Sequence, residues 1–85
     1  MKIIGMKNGF IAADHIVTVQ LEDYKAFSVY TSNNFRYTFV FDSKDHAKDC
    51  FRRLKSFLRS NNSMEDLFTI NEQPGYIERT EYLLG

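Results

Sequence analysis

Eighty-five residues and 10.0 kDa allow one domain with a small core. Hydrophobic residues make up 44% and charged residues 26%, which excludes a disordered, collagen-like or coiled-coil chain. Eleven cations balance eleven anions and no apolar run exceeds four residues, so neither a general affinity for nucleic acid or anionic membrane nor a membrane span is expected.

In chain order, Asn8-Gly9 is a hairpin signal that joins a strand near 2–7 to one near 10–13, because both residues tolerate positive φ. Residues 16–22 alternate, with Val17, Val19 and Leu21 on one face and Thr18 and Gln20 on the other. A turn at Glu22-Asp23-Tyr24 leads to a strand over 25–31. There Phe27 and Val29 oppose Ala26, Ser28 and Tyr30. Ser32-Asn33-Asn34 is a turn cluster. Over 35–41, Phe35, Tyr37, Phe39 and Phe41 share one face, opposite Arg36, Thr38 and Val40. One-sided burial of this kind predicts an antiparallel sheet covered on one face.

The period then changes to that of a helix. Asp42 or Ser43 can cap it, and Ala47, Cys50, Phe51, Leu54, Phe57 and Leu58 form a core-facing stripe. Ser60-Asn61-Asn62 stops it. The fold class read from this order is α+β: an antiparallel meander of about four strands, one amphipathic helix packed on one face, and a C-terminal appendage. Several single-stranded nucleic-acid-binding domains share that order, but fold analogy alone transfers no function. Residues 1–62 are read as the sheet-and-helix core domain. Residues 63–85 are read as an acidic segment docked on the same domain or on a second copy. Within it, Ser63 to Asp66 can cap a short helix through Leu67 and Phe68, Gln73-Pro74-Gly75 is a break, and 76–84 is strand or helix.

Little in the chain resembles catalytic machinery. His46 and Cys50 are helix neighbours, but Cys50 falls in the apolar stripe, where a thiol is usually inert. Asp42, His46 and Asp49 could share a face. A structural zinc site wants four ligands dominated by Cys and His, and only the distant His15 could add an imidazole. Asp14-His15 is not a dyad, since adjacent strand residues point to opposite faces. The four glycines are isolated and form no phosphate loop. The expectation is therefore a non-enzymatic protein with no metal and no cofactor. A single cysteine excludes an internal disulfide, and the N-terminal apolar stretch is shorter than a signal peptide, which together point to the cytoplasm.

Charge is unevenly placed. Residues 44–60 carry six cations against two anions, and 61–85 carry five anions against one cation. On a helical wheel Lys44, Lys48, Arg52, Lys55 and Arg59 fall within an arc of about 80°. This basic face suits an acidic partner protein or the chain's own acidic segment; a solvated face is the plain reading. The preferred function is a small interaction module of accessory or inhibitor type, acting through that face or the C-terminal segment. Its partner would be another protein or a second copy, with a homodimer expected from exchange of a strand within 76–84. The alternative is a single-stranded nucleic-acid binder using the same cations, with Tyr24, Tyr30 and Arg36 as the best exposed sheet-face candidates. Tyr76 and Tyr82 are secondary candidates for contact.

Overall fold

A computed structural model describes residues 1–23, 25–60 and 66–79 of the chain. The order is β1 (Ile3–Met6), β2 (Gly9–Ala12), a 3-10 turn (Ala13–His15), β3 (Ile16–Asp23), β4 (Ala26–Thr31), β5 (Arg36–Phe41), α1 (Lys44–Arg59), β6 (Leu67–Thr69), a second 3-10 turn (Ile70–Glu72) and β7 (Tyr76–Ile77). An antiparallel sheet runs β3-β4-β5-β7, and a mixed sheet runs β2-β1-β6. The architecture is α+β, as the alternation followed by helical spacing predicts. No helix among the described residues is long and apolar enough to cross a membrane.

The core lies where α1 and the small sheet meet the inner face of the large one. Phe27, Val29, Phe39 and Phe41 come from β4 and β5, Ala47, Cys50, Leu54 and Phe57 from α1, and Ile4, Ile11 and Ile70 from the small sheet and its turn. Phe27 is at the centre, with ring centroids 5.4 Å from Phe39, 5.8 Å from Phe41 and 5.8 Å from Phe51. On the outer face Ser28 and Thr38 satisfy each other at 2.9 Å.

Both helix ends are closed. The Ser43 hydroxyl accepts from the His46 backbone N–H at 3.3 Å, occupying one of the first-turn donors. At the other end Lys2 Nζ donates to the carbonyls of Phe57 and Ser60, where a cation also suits the helix dipole. The same ammonium lies 5.2 Å from the centre of the Phe57 ring.

Three local features differ from the sequence reading. The first hairpin turns at Lys7-Asn8, one residue earlier, and none of Lys7, Asn8 and Gly9 has positive φ. Pairing Ile4 with Ile11, both buried, fixes that register. Leu67 and Phe68 are strand, not helix: β6 runs parallel to β1, with Ile4 opposite Phe68, and the Phe68 ring lies tilted against Phe57 with centroids 5.7 Å apart. The capping part of that expectation, Ser63 to Glu65, lies outside the described residues. Finally, β3 shifts register between Ile16 and Thr18 and between Leu21 and Asp23, so its alternation is interrupted at both ends. Val17 consequently sits outside, 66% exposed, instead of joining Val19 against the core.

Candidate functional site

All five cations of the predicted helix face are exposed. Lys44, Lys48 and Arg59 make no ion pair among the described residues, and Lys55 lies over the Phe51 ring at 5.2 Å. Arg52 differs. It meets Asp49 at 2.8 Å, and Arg53 meets the same carboxylate at 2.9 Å, so Asp49 draws Arg52 away from the row.

The core contacts of α1 show which flank carries the row. Leu58 borders a hollow with Ile16, Val17 and Val19 of β3, while Phe57 faces β6 through Phe68. On the wheel Lys44, Lys55 and Lys48 follow Leu58 and Phe51, on the side away from Phe57. The basic row therefore lies on the flank of α1 away from β6, while the helix itself crosses the large sheet from the β7 edge, where Asp42 N–H meets the Gly75 carbonyl, toward β3, where Leu58 packs.

The acidic C-terminal stretch does not cover it as far as the chain is described. Glu78 pairs with Lys7 at 2.7 Å, beside β7 and the first hairpin, at the edge opposite β3. Tyr76 and Ile77 pair with Phe41 and Val40 of their own chain. Glu81 and Tyr82 lie outside the described residues, as does Tyr24.

The secondary candidates do not join the basic face. Tyr30 and Arg36 are register partners on β4 and β5, on the sheet face away from α1. The Tyr30 hydroxyl donates to Glu22 at 2.7 Å. Tyr76 packs edge-on against Phe41 at 6.0 Å, and its partial burial raises the phenol pKa. It is core lining.

His46 Nδ1 and Asp42 Oδ1 are 2.6 Å apart at the N-terminal end of α1. That hydrogen bond holds the Asp42 carboxyl below its usual range. Whatever the contact contributes is therefore present above the ordinary value of 3.8 and is lost as the pH falls through the lowered one. Asp49, the third residue of the metal reading, is turned to the two arginines instead. Among the described residues no group of three potential ligands gathers.

Cys50 is 1% exposed, and burial pushes its thiol up to about 12. A nucleophilic thiolate needs the opposite shift. We expect the native protein to resist a thiol reagent at neutral pH except at the rate of unfolding, and the denatured protein to react at once. Prompt modification of the native form would contradict this. In the unfolded chain the thiol ionises near 9.0, so this group also makes stability fall as the pH rises above that value.

The chain matches no known family model, and neither curated proteins nor solved structures gave a match.

Proposed function

We propose that this protein is a small non-enzymatic binding module that takes an acidic protein partner on the exposed basic face of α1. The observation that carries the reading is the row Lys44, Lys48, Lys55 and Arg59. It is exposed along the helix and has no carboxylate partner among the described residues. Helix charges placed only for local stability tend to pair at i,i+3 or i,i+4, as Asp49 does with Arg52 and Arg53. Tyr30, the sheet-face ring expected to stack on a single-stranded nucleic acid, stands on the face of the sheet away from α1 and donates its hydroxyl to Glu22. That separation favours a protein over a nucleic acid.

The test compares a fluorescein-labelled polyglutamate peptide with a labelled single-stranded oligonucleotide, by anisotropy. The peptide is expected to bind, more weakly as salt rises. Lys48→Glu/Lys55→Glu/Arg59→Glu is expected to weaken it by about 30-fold or more, roughly 2 kcal/mol in total, with an unchanged circular dichroism spectrum. Oligonucleotide binding that outlasts physiological salt, with no response to the peptide, would overturn the proposal.

A further inference from the structure

The other flank of α1 borders a groove. A concavity of about 670 Å³ lies between the helix and the segment from β6 through the turn after it, lined by Arg52, Arg53, Ser56, Phe57, Phe68 and Gln73. None of Lys44, Lys48, Lys55 and Arg59 lines it. On the wheel Arg53 and Ser56 follow Phe57 on the side away from Leu58, so this is a different surface from the basic row.

Its walls differ in chemistry. Phe57 is 5% exposed and Phe68 is half-buried, and their rings are inclined at 41°. Rings set at that angle form a notch for an aliphatic side chain, not a flat platform for a base. Both arginines are exposed, and Asp49 holds them together through Nη2 of Arg52 and Nε of Arg53. A guanidinium has five N–H donors, so donors remain on each. Two guanidiniums against one carboxylate leave a single positive charge, which matches a carboxylate better than a doubly charged phosphate. Gln73 donates from Nε2 to the Thr69 carbonyl at 3.3 Å, and its Oε1 is buried with no hydrogen-bond partner. Buried acceptors are rarely left over, and this one belongs to a wall of the groove.

The spacing selects a pattern. Arg53 and Phe57 are four residues apart, about 6 Å of helical rise. In an extended peptide residues i and i+2 share a face, about 6.6 Å apart. We infer that the groove is a second binding site, for an extended acidic segment of a partner protein in which Asp or Glu stands two residues from Leu or Ile. The aliphatic side chain enters the notch between Phe57 and Phe68, and the carboxylate meets Arg52 and Arg53. The inference goes beyond the basic row and stands apart from it.

The test uses the intact, isotope-labelled protein and two end-capped peptides of one composition, Gly-Glu-Ser-Leu-Gly and Gly-Glu-Leu-Ser-Gly, read by amide shifts during titration. The first should bind about tenfold or more tighter, with shifts at 52–57, Phe68 and Gln73, because only it places both side chains on one face. Ser56→Trp fills the groove from an exposed position without changing a charge. It should abolish that preference, with an unchanged circular dichroism spectrum and unchanged binding of polyglutamate. Equal binding of the two peptides, or a preference that survives Ser56→Trp, would overturn the inference. A dimer by light scattering that Ser56→Trp dissociates would assign the groove to a second copy and overturn it too. Polyglutamate binding and its loss on triple charge reversal read the basic row alone, so either site can fail without the other.

Discussion

Replacing Phe27 by alanine is expected to remove about 3–5 kcal/mol of stability. A chain of this length has only roughly 4–13 kcal/mol in all, so the variant should lose a large share of its stability. The reason is position. Phe27 is fully buried and its ring lies within 5.8 Å of three others, Phe39, Phe41 and Phe51, which tie β5 and α1 to β4. Alanine leaves a hole that the surrounding rings can fill only in part. The melting temperature should fall by more than about 12 °C, at about 4–8 °C per kcal/mol. Phe27→Leu, which keeps most of the volume and loses the ring pairs, should cost about 1–1.5 kcal/mol. A loss below about 1 kcal/mol for Phe27→Ala would contradict a shared core.

Gly75→Ala is the second large effect, and it reaches the start of α1. Gly75 has φ +75 in the turn Gln73-Pro74-Gly75-Tyr76, where Tyr76 N–H donates to the Gln73 carbonyl at 3.3 Å. Its own carbonyl accepts from the Asp42 N–H at 2.8 Å, which ties β7 to the N-terminal end of the helix. A methyl group there would lie 2.3 Å from both Asp42 Oδ1 and His46 Nδ1. The backbone alone costs about 1–2 kcal/mol for a left-handed alanine. Displacing the Asp42–His46 pair adds to that. A fall in melting temperature of about 5–15 °C follows. In an Asp42→Ala/His46→Ala background the same change should cost less, since only the backbone term remains. Equal losses in the two backgrounds would show that the close approach is not a constraint.

Much of this fold is written in short-range pattern. The helix expected after Ser43 and stopped at Ser60 forms over Lys44–Arg59, because capping and the 3.6-residue period are local properties. Phe39 and Phe41 were legible as core from alternation alone. The rest depended on partners far along the chain. Nothing near Leu67 announces a parallel partner at Ile3, some sixty residues earlier, and that pairing builds the second sheet in place of a single meander. The bulge at Val17 is likewise invisible in a strictly alternating stretch, yet it turns Val17 to solvent. The basic row was readable on a helical wheel. The path of α1 across the large sheet, from β7 at its start to β3 at Leu58, was not, because it depends on contacts far apart in the chain.

The basic face of α1 is the central claim, and amide chemical-shift mapping of the labelled protein during titration with the polyglutamate peptide tests it most directly. Shifts concentrated on Lys44–Arg59 are the predicted result. Shifts centred on the small sheet around Phe10 and Leu67, or none at the helix at saturating peptide, would contradict it.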